Sequence, residues 1–182
     1  IAAGILRHRA NDPGRRRNAA LNSRIDTSVV NLSALAAWMD AQGLGEGALT
    51  NVDRLRGGTQ NVLLRFSRSN RDYVLRRPPP VLRASSNAAM LREVRVLNAI
   101  AASDVPHPRL IAACEDPEIL GGAVFYLMEP VDGFNATAGL PPRHAADPMI
   151  RNRMGFALVE GLAKLHAVDH VAVGLDGFGN PE

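Results

Sequence analysis

Three kinds of residue that could together hold a phosphate fall close to one another between Leu49 and Glu93. The first is the turn Gly57-Gly58-Thr59-Gln60-Asn61. Its glycines let backbone N–H groups approach an anion, and Thr59 and Asn61 add a hydroxyl and an amide. The second is the pair Arg76-Arg77, at the end of an extended run. The third is Glu93, which lies in the apolar stripe of a helix between Met90 and Leu97. A carboxylate there is costly unless it is paired, and Arg76 or Arg77 is the nearest candidate partner. Adjacent strand residues face opposite sides, so only one of the two can point beneath the glycine turn. Such a pair would hold a guanidinium where the phosphates of a nucleotide lie. The same residues also admit a structural salt bridge and an ordinary hairpin turn.

These residues need elements to position them. Asn31 or Ser33 can cap a first helix that carries Leu32, Leu35, Ala36 and Met39 on one face and ends at Gly43. Trp38 falls off that stripe, at its margin. Strands are expected over 50–55, 61–67 and 73–77, with the alternation of Val62, Leu64 and Phe66 and a tight turn at Ser69-Asn70. Pro78-Pro79-Pro80 ends the pairing. A helix capped by Ser85 or Ser86 runs to about Ala102, with Arg92 and Arg95 directed away from its buried side. Strands over 110–114 and 123–129 flank a polar turn, and Pro130-Val131-Asp132-Gly133 opens a linker whose backbone could pair with an adenine edge. Residues 134–146 read as loop. A last helix over 147–167 aligns Ile150, Met154, Ala157, Leu158, Gly161, Leu162 and Leu165. Hairpin-linked strands, a crossing helix and further strands make an α+β lobe with a five-stranded antiparallel sheet.

Composition sets the outer limits. The 182 residues are 46% hydrophobic and 21% charged, which suits one globular domain or one and part of another. No apolar run nears the roughly 20 residues that cross a bilayer. The single Cys114 excludes an internal disulfide and suits a reducing cytoplasm. It reads as a buried structural thiol. The net charge of +3 is local, because Arg7, Arg9, Arg15, Arg16, Arg17 and Arg24 crowd residues 1–27. That segment is expected to be a basic, poorly ordered arm. No aromatic residue interleaves its charges, which argues against nucleic acid as a partner. The five histidines lack metal-ligand spacing, so no metal site is expected.

The ordered pieces then carry a resemblance. Gly57–Asn61, Tyr73-Val74-Leu75-Arg76-Arg77-Pro78-Pro79, Arg92-Glu93, Val105-Pro106-His107-Pro108, Phe125-Tyr126-Leu127-Met128-Glu129 and Leu162-Ala163-Lys164-Leu165-His166 resemble the first part of an aminoglycoside phosphotransferase or choline-kinase-like enzyme. The branch they look most like is the kinase-like domain attached to some acyl-CoA dehydrogenases. The resemblance implies a protein-kinase-like N-lobe over 28–130, and a linker and first helix of an incomplete C-lobe over 131–182. It implies ATP and Mg²⁺ as cofactors and a small-molecule hydroxyl as phosphate acceptor. Gly57, Gly58, Thr59 and Asn61 would cover the phosphates. Arg76, standing where kinases usually carry lysine, would pair with Glu93. Met128 would be the gatekeeper, and the backbones of Glu129 and Val131 would bind adenine.

The resemblance also implies groups that the sequence does not supply. The family's His-Gly-Asp-type loop and its downstream metal-binding aspartate do not occur, so no catalytic or metal-ligating residue is expected among these residues. Asp176-Gly177-Phe178-Gly179 has the wrong order for a metal-binding Asp-Phe-Gly and reads as a turn. Two readings stay open: the nucleotide-holding part of a phosphotransferase, or a non-catalytic nucleotide-binding or scaffold module. The acceptor and the oligomeric state are not encoded in these motifs.

Overall fold

The computed structural model describes residues 29–55 and 61–179. The basic arm and the glycine turn at 57–60 lie outside the described residues. Helix α1 spans Leu32–Ala41, and β1 Thr50–Arg54, β2 Val62–Arg68 and β3 Arg71–Arg77 follow it. Helix α2 spans Ser86–Ala99, then come β4 Leu110–Cys114 and β5 Phe125–Met128. Helix α3 covers Pro142–Ala146 and α4 Pro148–His166. The strands form one antiparallel sheet in the order β1-β2-β3-β5-β4. β5 therefore inserts between β3 and β4, which brings the linker it feeds next to β3.

The local reasons are visible in the sequence. The Oδ1 of Asn31 accepts from the N–H of Ala34 at 3.0 Å, so Asn31 rather than Ser33 caps α1. Ser69 and Asn70 both take positive φ, +47° and +61°, between the paired residues Arg68 and Arg71. That is the two-residue turn whose twist suits a hairpin. It sets the register that places Leu64 opposite Leu75 and Phe66 opposite Tyr73, with those rings stacked at 5.6 Å. Helix α2 starts without a side-chain cap; the Ser86 hydroxyl instead accepts from the N–H of Arg83. It ends at Ala99, a few residues short of the expected bound. The 134–146 stretch expected as loop contains α3, which Pro141 and Pro142 start by presetting φ.

Both faces of the sheet are covered. Leu35 and Met39 of α1 pack on Val62, Leu64, Phe66, Tyr73, Leu75, Phe125 and Leu127. Trp38, expected off the stripe, sets its ring edge-on to Phe125 at 4.8 Å. On the opposite face, Met90 and Val94 of α2 pack on Val74, Val124, Tyr126 and Met128. Burial on both sides explains why β5 is apolar without alternation. Helix α4 falls on the expected bounds. None of its residues is buried; Leu158 and Leu162 are 76% and 54% exposed, while Gly161 approaches Pro106, within 4 Å of an added methyl, and Lys164 pairs with Asp104 at 3.3 Å. Residues 175–178 form a turn, as expected.

Two arginines are buried on the α1 face. Arg68 donates to the carbonyls of Ala36 (2.9 Å) and Gly47 (3.1 Å) and pairs with Asp40, clamping the end of β2 to α1. Replacing Arg68 by methionine keeps the bulk and removes these donors. It is expected to cost about 2–3 kcal/mol in denaturant unfolding, at the lower end for a broken buried pair because Asp40 stays half-exposed. Cys114 is buried, and burial raises its thiol pKa. Its reaction with a disulfide reagent at pH 8 should be slow in the folded protein and fast in denaturant. Equal rates would contradict the packing of β4.

Candidate functional site

The strand alternation assigns the two neighbouring arginines. In β3, Tyr73, Leu75 and Arg77 face α1, while Val74 and Arg76 face α2. Arg77 is buried and donates to the carbonyls of Pro78 (3.1 Å) and Val29 (2.8 Å); burial lowers its pKa. It is a structural cation that fastens β3 to the chain leading into α1. Arg76 is the one that meets Glu93. Its Nε donates to Oε2 at 2.7 Å and its Nη2 to Oε1 at 2.9 Å. This two-point geometry fixes the plane of the guanidinium as a lysine could not. The hydrogen bond to Glu93 raises the pKa of Arg76 despite the opposing effect of burial. The two side chains are 28% and 35% exposed, so the pair is sheltered yet reachable from solvent.

A third group completes the arrangement. Tyr126 of β5 is the cross-strand partner of Arg76, and its hydroxyl donates to Glu93 Oε2 at 3.0 Å. Burial, then the charge of Glu93, raises the phenol pKa against the effect of Arg76. The sequence reading quoted Tyr126 within a motif but gave it no role. The available signal was a lone hydroxyl-bearing residue in an otherwise apolar strand, two residues before Met128 and on the same face. Beside the pair lies a cleft of about 520 Å³ with apolar walls that include Leu97, Pro108, Met128 and Phe178. Its size suits a small ligand.

The remaining expected residues fall as follows. Gly57, Gly58 and Thr59 lie outside the described residues, and Asn61 is half-buried immediately before β2. Met128 ends β5 opposite Val74, on the face that carries Arg76. The N–H of Glu129 donates to the Arg109 carbonyl at 2.9 Å, and its carboxylate reaches Arg71 at 3.2 Å. Both contacts hold the start of the linker. Val131 is 69% exposed. Arg76, Glu93, Tyr126 and Met128 thus share one face, with Glu129 and Val131 at its exit. Arg92 and Arg95, expected only to point away, have partners. Arg92 donates to the Phe178 carbonyl (2.9 Å) and Arg95 to that of Gly174 (2.7 Å), and their guanidinium groups lie 4.0 and 5.4 Å from the Phe178 ring centre.

A divalent cation such as Mg²⁺ takes oxygen ligands, commonly one or two carboxylates. Among the described residues no three His, Cys, Asp or Glu side chains cluster in that way. The Glu93 carboxylate is committed to Arg76 and Tyr126, so the residues of this face do not fit a metal site. No helix among the described residues is long and apolar enough to cross a membrane.

The family model described as the phosphotransferase enzyme family matches residues 51–182. The chain is 38% identical over 108 residues to a protein of Arabidopsis thaliana provisionally named acyl-CoA dehydrogenase IBR3, a match covering 59% of this chain and 13% of that protein. It is 34% identical over 122 residues to acyl-CoA dehydrogenase family member 10 of Mus musculus, covering 67% of this chain and 11% of the other. A solved structure from Ralstonia eutropha JMP134, provisionally named an aminoglycoside phosphotransferase, superposes with a TM-score of 0.62 at 30% identity. That match covers 84% of this chain and 43% of the other. The chain thus spans a small part of its curated relatives and under half of the solved one. Removing the carboxylate by Glu93→Ala should cost about 1–2 kcal/mol in thermal or denaturant unfolding, discounted for the partial exposure of the pair. No loss would mean that the pair contributes nothing to the lobe.

Proposed function

The chain belongs to the phosphotransferase enzyme family, and on that premise we propose that it holds ATP for transfer of the γ-phosphate to a small-molecule hydroxyl. The observation that carries the proposal is the two-point pairing of Arg76 with Glu93. A permanently charged guanidinium, half-sheltered and held in one plane, is suited to phosphate oxygens. Its sheltered setting strengthens the attraction relative to that in open water.

The other residues take roles around it. Gly57, Gly58, Thr59 and Asn61 cover the phosphates, Met128 closes the inner end of the adenine site, and the backbones of Glu129 and Val131 meet the adenine edge. The Glu129 N–H is already given to Arg109, which points to its carbonyl and the Val131 N–H as the adenine contacts. Mg²⁺ would neutralise phosphate charge when bound with the nucleotide. The described residues bind and orient; none is assigned a proton-transfer role. The lone buried thiol supports a cytoplasmic setting. The kinase-like lobe is taken as 28–130 and the linker with the following helices as 131–182.

Nucleotide titration tests this reading. Wild-type chain should bind ATP saturably, and Arg76→Ala should weaken binding about tenfold or more, the loss of a charge-assisted contact. Equal binding by the two proteins would remove Arg76 from the nucleotide site and leave the scaffold reading.

A further inference from the structure

Glu93 meets two donors, and they come from different strands. Arg76 of β3 engages both carboxylate oxygens, and Tyr126 of β5 engages Oε2. Arg76 and Tyr126 stand directly opposite each other in the β3–β5 ladder. The three side chains thus join β3, α2 and β5 at one point. Tyr126 is 3% exposed, and an aromatic ring has few torsions to freeze, so its hydroxyl is a rigid fixture. Glu93 is different. A glutamate on a helix surface, 35% exposed, has several rotamers, and an ion pair alone restrains it weakly. A second, fixed donor selects the rotamer in which both oxygens present themselves to Arg76.

Resting on the phosphate-holding role given above to Arg76, we infer that Tyr126 is a positioning residue for nucleotide phosphates, acting through Glu93 to set the guanidinium of Arg76. The phenol need not touch the nucleotide. Its hydroxyl donates to Glu93 Oε2, and burial and the neighbouring carboxylate both oppose its ionisation. β5 also carries Met128 two residues further on, so one strand sets the cation and bounds the adenine end. The result is a fixed spacing between the two ends of the ligand.

Calorimetric titration of the full chain with ATP and with adenosine separates positioning from simple packing, because adenosine has no phosphates. Tyr126→Phe keeps the ring and removes the donor, and a melting scan checks that it folds. Its ATP affinity should fall about three- to tenfold, less than the loss of a direct contact to a charged group because the phenol acts through Glu93, with adenosine affinity unchanged. In an Arg76→Ala background the same substitution should have no further effect on ATP, since the group through which it acts is gone. Leu127→Val, which loosens β5 on the opposite face, should not select between the two ligands. Wild-type ATP affinity in Tyr126→Phe, equal loss for both ligands, or a full loss persisting in the Arg76→Ala background would each overturn the inference while leaving the nucleotide site standing. A wild-type chain that binds ATP no better than adenosine would overturn the nucleotide reading and this inference with it.

Discussion

The period-two alternation of β3 is the constraint on which the rest depends. Arg76 and Arg77 are chemically identical and adjacent, yet the pleat sends them to opposite faces of the sheet. Each face then satisfies its cation in its own way. On the α1 side, backbone carbonyls of Pro78 and Val29 take the hydrogens of Arg77, and burial makes its charged form less favourable. On the α2 side a carboxylate does the same work, and the charged form of Arg76 is favoured. A one-residue slip of β3 would turn Arg76 to the α1 face and put Leu75 or Arg77 in its place opposite Glu93. The Ser69-Asn70 turn, which fixes the β2–β3 register, is for that reason as important to the site as the charged residues themselves.

The insertion of β5 between β3 and β4 is the second requirement. Had the strands paired in chain order, the segment after Met128 would leave the sheet at its edge, far from Arg76. As it is, Tyr126 sits opposite Arg76, and the linker leaves beside β3, where Arg71 meets Glu129. Cation, carboxylate and phenol come together because of strand order, not because they are near one another in sequence, and the linker backbone follows the phenol directly.

Much of this was legible beforehand. The helix carrying Glu93, the hairpin and the strands follow from periodicity; the cost of an unpaired buried charge points to one of Arg76 and Arg77, and the choice of Arg76 came with the family resemblance. The family follows from ordered motifs, and the matches to the phosphotransferase family and to acyl-CoA dehydrogenase family members agree with it. Other features were hidden for physical reasons. Tyr126 was given no role because its hydroxyl partner lies 33 residues away on a helix. The contact of Trp38 with Phe125 was hidden because a wide ring reaches core from the margin of a helix stripe. The apolar face aligned on α4 is exposed at Leu158, Leu162 and Leu165. Periodicity records which side of a helix is apolar; it does not say what packs there. Helix α3 was missed because two prolines read as a break when they also preset the first turn.

The contacts of Arg92 and Arg95 with the 174–178 segment give α2 a mechanical character. Arg92 precedes Glu93 by one residue, about 100° around the helix axis. Turning α2 so as to swing Glu93 off Arg76 would drag Arg92 from the carbonyl and ring of Phe178. The helix therefore acts as a spindle gripped on two sides, by the sheet through Glu93 and by the chain beyond α4 through its arginines. Torque applied at either grip is felt at the other, so the orientation of the charge pair is a joint property of the sheet and of a segment more than eighty residues along the chain.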